Sequence, residues 1–204
     1  MSVINWSAPI QAKGESFFNI VSHFDEYLAD KFDDGQEEIT LDNVPGIIEI
    51  KNSIEDELRD KPVYKYTQNL VNFLTIFIYN TNDINKFYEI ILNKTNAYDT
   101  KSIFMCIKIA DNLFNNKIID NYENSNEFYY RFNYNLIKDP FIIVIEQDNS
   151  LCIAKYLWLY YKNSHKMSII SLGDIFQEIF QYKFYTLFFH WSWLVREIFY
   201  HLLL

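Results

Sequence analysis

The chain has 204 residues, of which 18 are Phe and 16 Tyr, but only four are Gly and four Pro. Such a length buries about 70% of the surface an unfolded chain exposes, so no disulfide or metal staple is required. So few turn-formers argue against an all-β sandwich, which needs a turn every ~8–12 residues. The net charge of −9 sits in one segment: between Asp25 and Asp60, 13 acids face only Lys31, Lys51 and Arg59. With no basic stripe to displace counterions from phosphates, the balance disfavours nucleic acid, and none is expected as a partner.

Residues 1–14 read as an irregular lead-in, punctuated by Pro9 and Gly14. A first helix follows, with Phe17, Ile20, Val21, Phe24, Leu28 and Phe32 on one face. Asp33-Asp34-Gly35 ends it, and an acidic loop covers 33–45. A second helix takes Ile47, Ile48, Ile50, Ile54 and Leu58, and Pro62 is placed to open a third over roughly 62–80. Thr81 or Asn82 caps a fourth through Ile84, Phe87, Ile90, Ile91 and Leu92. Asp99 or Thr100 caps a fifth through Ile103, Phe104, Ile107, Ile109 and Leu113, and an Asn-rich stretch at 124–137 fits a further helix.

Pro140 is expected to reset the chain, and 141–145, FIIVI, fits a short strand or a buried helix equally by periodicity. With no sheet for it to join, helix is the better reading. Ser150 opens the next helix, whose face is Leu151, Ala154, Leu157, Trp158 and Tyr161. Gly173 separates Ile169–Leu172 from a segment carrying Ile175, Phe176, Ile179 and Phe180. From 182 to 204 one uninterrupted helix is expected: Phe184, Leu187, Phe188, Trp191, Leu194, Val195, Ile198 and Leu202 share a face, and no Gly, Asn or Pro closes it.

The fold class is therefore all-α, with about eight helices packed as αα-hairpins in an irregular bundle or an armadillo/HEAT-like solenoid fragment. Residues 15–204 are expected to form one helical domain that continues beyond 204 in a longer parent. Apolar blocks recur near the 40–47-residue spacing of such solenoids, without a repeating signature.

Little in the chain carries chemistry. His23, His165, His190 and His201 form no H-E-x-x-H or paired E-x-x-H arrangement, so neither metal nor other cofactor is expected. The loop 30–41 places Gly35 as a calcium loop would, but Phe32 and Leu41 stand where carboxylates are needed. Glu197 and His201, four apart, read as an ordinary helix pair. His190-Trp191-Ser192-Trp193 brings a base near a hydroxyl, yet inside an expected helix rather than on the strained turn that exposes a serine nucleophile. Trp191 and Trp193 would point about 200° apart, one to the core and one outward. Cys106 and Cys152 read as buried structural thiols of a reducing compartment.

The segment 190–204, HWSWLVREIFYHLLL, with the aromatic helices before it, resembles an uncharacterised eukaryotic family of large, all-helical, armadillo-like proteins, some labelled as membrane proteins. The resemblance covers the C-terminal third. It implies that the chain is part of a longer polypeptide and transfers no catalytic residue. The expected function is a non-enzymatic helical scaffold or protein-interaction module, in the cytoplasm or on the cytosolic face of a membrane. Its expected partner is a protein or the remainder of a longer chain. The expected interaction surface is Trp191, Trp193, Phe199, Leu202, Leu203 and Leu204. The rival reading is a membrane-associated protein anchored by 184–204, a length that matches a bilayer crossing; Arg196, Glu197, His190 and His201 count against a true span.

Overall fold

The computed structural model describes residues 47–68, 70–72, 74–75, 83–115, 132–167 and 169–204. The first predicted helix, the acidic loop, the calcium-like loop, the caps at Thr81 and Asn82 and the stretch 116–131 lie outside the described residues. Every regular element among the described residues is helical, so the class is all-α. The chain divides into two compact units, Met1–Lys94 and Thr95–Leu204.

In the first unit, helix α1 (Ile47–Asp60) packs against α2 (Ile84–Asn93). Ile54 and Leu58 of α1 and Phe87, Tyr88 and Ile91 of α2 are fully buried, the i, i+4 spacing expected of facing stripes. Ile48 points to solvent instead. Lys51 pairs with Asp83 at 2.8 Å across the two helices. Pro62 does open a helical turn, but a short 3-10 one, Val63–Lys65. The C-terminal carbonyls of α1 have no partners inside the helix. Lys94 supplies them from the far end of α2: its ammonium donates to Leu58 O at 2.8 Å, to Lys61 O at 2.6 Å and to Arg59 O. Tyr66 Oη donates to the same Leu58 oxygen at 2.7 Å.

The second unit is built around α5 (Ser150–Asn163), which packs against α3 (Thr100–Phe114), α4 (Asn135–Glu146) and α8 (Trp193–Leu203). Because three neighbours cover α5, its burial is not one stripe. Cys152, Ile153, Ala154, Tyr156, Leu157, Leu159 and Tyr160 are all buried, while Leu151, Trp158 and Tyr161, assigned to the core from periodicity, face solvent through the remaining gap. Phe141 of α4 sits between Tyr156 and Tyr160, with ring centroids 5.3 and 5.4 Å away. Each such ring contributes about 1.5–3 kcal/mol on burial. The Tyr160 hydroxyl, enclosed by this packing, finds no hydrogen-bond partner among the described residues. Burial raises its pKa well above the tyrosine norm. Tyr160→Phe should therefore stabilise the protein by about 1 kcal/mol, because it removes the desolvation of an unsatisfied hydroxyl while the ring keeps its packing. Urea denaturation of the two proteins checks this, and a fall in stability would reveal a partner for that oxygen.

Local signals set several helix starts. Asp99 caps α3 through its carboxylate, which accepts from Lys101 N at 3.1 Å and from the Ser102 hydroxyl. Those bonds, the Ser102 hydroxyl first, hold the Asp99 carboxyl below its ordinary value of 3.8. A depressed carboxyl contributes stability that is full above the unfolded value and lost as pH falls through the native one. Asp99→Asn should accordingly flatten the acid limb, lying below wild type in the neutral range and converging with it as pH falls below about 4, as thermal melts from pH 7 to pH 2 would record. Asn149 caps α5, its Oδ1 accepting from Cys152 N at 3.3 Å, while its Nδ2 reaches Thr100 at the start of α3. At the opposite ends of these two helices, fully buried Asn163 donates to Asp111 at 3.1 Å, and Lys166 donates to Phe114 O at 2.7 Å.

Two expected breaks, at Pro140 and Gly173, are absent, and one unexpected break is present. Segment 141–145 is helical, and α4 runs straight through Pro140. As the sixth residue of the helix, Pro140 forgoes the bond to the Leu136 carbonyl, and burial of Ile137, Phe141, Val144 and Ile145 holds the helix through it. Gly173 lies inside α6 (Ile169–Gln177), which passes directly into a π-helical turn, Glu178–Tyr182. A methyl group added at Gly173 would meet nothing within 4 Å. Gly173→Ala should then stabilise α6 by about 0.5–1 kcal/mol, measured as a rise in melting temperature. The break that is present is one the periodicity did not announce. The stretch read as a single helix is divided into α7 (Phe184–Phe188) and α8, with residues 189–192 between them.

Candidate functional site

The junction between α7 and α8 gathers most of the chain's unusual side chains. It is made by an acceptor 42 residues upstream: Asp148, in the turn after α4, has φ of +54°, a left-handed conformation that costs a side-chain-bearing residue roughly 1–2 kcal/mol. That conformation follows α4 as a left-handed helix cap normally does, a place where Gly or Asn is usual. Here the carboxylate is used. His190 Nε2 lies 2.8 Å from Asp148 Oδ1, and Trp191 Nε1 donates to Asp148 Oδ1 and Oδ2 at 3.0 and 2.9 Å.

The other face of His190 fixes its tautomer. Its Nδ1 accepts from the backbone N–H of Ser192 at 3.0 Å, so in this arrangement the proton sits on Nε2 and is donated to Asp148. The imidazole is buried, at 2% side-chain exposure. Arg196 reaches back from α8 to donate to the carbonyls of His190 and of Trp191, the latter at 3.1 Å, and Tyr200 Oη donates to Phe188 O at 3.1 Å. Lys183, just before α7, pairs with Glu146 at the end of α4 at 3.1 Å. Backbone carbonyls released by the break thus find donors on α8, and the segment is tied at two points to the end of α4.

Although Asp148, His190 and Ser192 share the residue types of a hydrolytic triad, their connections differ. A nucleophile needs its hydroxyl on the histidine's free nitrogen; here the Ser192 backbone amide occupies that nitrogen. Ser192 lies in the break and precedes α8, not inside a helix as periodicity implied, and its side chain makes no cap bond. His201 lies against Tyr161, with ring centroids 6.1 Å apart. Among the described residues no group of three or more His, Cys, Asp and Glu side chains could hold a metal ion. Cys106 and Cys152 are buried and not joined as a disulfide. Burial pushes the Cys106 thiol up to about 12, against the pull of its Thr95 hydrogen bond, leaving it protonated and unreactive.

Around this junction the surface is aromatic. Trp191 is 67% exposed and Trp193 65%, so neither fills the core, contrary to the expectation that one would. Tyr185 in α7 and Phe189 just after it are also exposed, with parallel rings 6.3 Å apart. Leu203 and Leu204 are exposed as expected and Leu202 is half-buried. Phe199 does not belong to this surface. It is fully buried, edge-on to Phe184 at 5.8 Å, because α8 turns its Val195 and Phe199 face inward. No sequence signal pointed to Asp148, whose role depends wholly on a distant partner.

Fold and site together define an all-α protein whose C-terminal arm is bent and pinned by an aspartate–histidine–tryptophan latch. Residues 84–204, more than half of the chain, match the family described as "Protein of unknown function (DUF1765)", and the chain belongs to that family. The matched region begins at the first residue of α2 and contains every latch residue. No curated protein and no solved structure matches the chain. No helix among the described residues is long and apolar enough to cross a membrane, and the break at 189–192 divides the 21-residue stretch on which a spanning anchor depended.

Proposed function

We propose that this protein is a non-enzymatic helical interaction module that presents the surface Tyr185, Phe189, Trp191 and Trp193 to a protein partner. One observation carries the reading: the latch holds large aromatic side chains outward instead of burying them. The bent segment commits Trp191 to Asp148 through its indole N–H while two-thirds of the residue stays open to solvent. Tyr and Trp ordered in this way offer contact area at small entropic loss, the property that enriches them in binding hot spots. The nitrogens of His190 are both engaged in holding the bend, which leaves no general base at the cluster.

Position-resolved photocrosslinking tests the proposal against its membrane-surface rival. A photoreactive phenylalanine analogue placed at Phe189 or Trp193, in the cells that make the protein, should give a discrete protein adduct. The same analogue at exposed Lys108 on α3 should not. Lipid adducts alone, together with flotation of the purified chain on phosphatidylcholine–phosphatidylserine vesicles, would replace the protein partner with a lipid surface. Identical adducts from all three positions would overturn the assigned surface.

A further inference from the structure

The bend at 189–192 is imposed on a segment whose own pattern is that of a straight helix. Residues 184–202 keep one apolar face throughout, without Gly, Pro or Asn. In the bent form that face is divided. Trp191 and Leu194, at its middle, are exposed, while Leu187, Val195 and Phe199 are buried. Straightening would restore the i→i−4 bonds from the N–H groups of residues 190–195 that the bend forgoes between Phe189 N→Tyr185 O and Arg196 N→Ser192 O. It would also set Phe199 about 16 Å beyond Phe188 along one axis, at 1.5 Å per residue, out of reach of its own α5.

We propose that the C-terminal arm is an exchangeable element: with the latch open, residues 184–203 form one straight helix whose α8 half docks on α5 of a second copy, reciprocally, giving a domain-swapped dimer. The occupant is a second copy because the straight arm carries the face, Val195 and Phe199, that already fits α5, and because opening uncovers the same α5 surface on each chain. The intermolecular contact is thus the intramolecular one re-formed. Core burial is equal in the two forms, so their balance rests on helix continuity in 184–203 against the latch bonds of Asp148, Arg196 and Tyr200. Short hinge loops between two helical halves, as at 189–192, are where such exchange starts.

Light scattering coupled to size exclusion, on the full chain after mild urea cycling, reads the balance. Wild type should be predominantly monomeric. Tyr200→Phe, which removes only the bond to Phe188 O at a partly exposed position, should raise the dimer constant a few-fold. Asp148→Ala should raise it by about tenfold or more, in line with 1.4 kcal/mol per factor of ten. Trp193→Pro in the Asp148→Ala background should return the monomer. Proline suits the first position of α8, after the extended Ser192 (ψ 123°), but blocks a continuous helix by clashing with the Phe189 carbonyl. Trp193→Ala in that background should keep the dimer, which separates arm exchange from contact through the tryptophan itself. The proposal fails if both latch variants stay monomeric up to millimolar concentration, or if the proline variant dimerises as readily as its parent.

Discussion

Phe199→Ala is expected to cost about 3–5 kcal/mol. The side chain is fully buried where α8 meets α7 and α5, and truncation removes a whole ring and leaves a cavity that the surrounding helices fill only in part. Phe199→Leu, which retains much of the volume, should cost nearer 1 kcal/mol. The loss should also be local before it is global. Amide exchange in α8 should accelerate ahead of that in α3 and α5, because Phe199 and Val195 are the buried side chains of α8. Urea denaturation and residue-resolved hydrogen exchange measure both. A cost below 1 kcal/mol for the alanine variant would mean that α8 is not docked as described.

The second large effect is at Asp148, where two opposed terms can be separated by choice of substitution. Alanine loses the acceptor for buried His190 and for Trp191, at about 1–3 kcal/mol for the orphaned imidazole N–H. The cost of a left-handed backbone at a residue with a Cβ is already present in wild type, so the lost bonds set the total, at up to about 3 kcal/mol. Glycine loses the same bonds but relieves the backbone, and should be about 1 kcal/mol less damaging. Asparagine tolerates the conformation and retains one acceptor oxygen, so it should be mildest. The expected order of destabilisation is Ala, then Gly, then Asn. Trp191 fluorescence should shift with all three, since its indole N–H is released or re-partnered. An order with Gly worst would remove the role assigned to the positive φ; equal and negligible losses would remove the latch.

The latch also explains why the HWSW motif lacks the connections of a hydrolytic triad. A histidine whose two nitrogens are held by a carboxylate and a backbone amide is an orienting strut, with no lone pair left to accept a substrate proton. Trp191 and Trp193, read from the sequence as part of an outer surface because large aromatics near a segment end stand out, are both exposed. Phe199 was placed with them on the same grounds and proved to be core. The difference lies in which face α8 turns toward α5, and that depends on the bend preceding it.

By itself, the sequence determined what local chemistry determines. The helical class, the start of α3 at the Asp99 cap, the start of α5 at residue 150 and the burial of both thiols follow from neighbours within a turn or two. The tertiary structure decided the rest. Packing of Ile137, Phe141, Val144 and Ile145 carried α4 through Pro140, and three neighbours rotated the exposed gap of α5 onto Leu151, Trp158 and Tyr161. Most of all, it broke the 184–204 helix, whose periodicity is uninterrupted, because periodicity registers only residues three and four apart. The carboxylate that accepts from His190 and Trp191 comes from 42 residues away, on a backbone conformation that only the end of α4 creates.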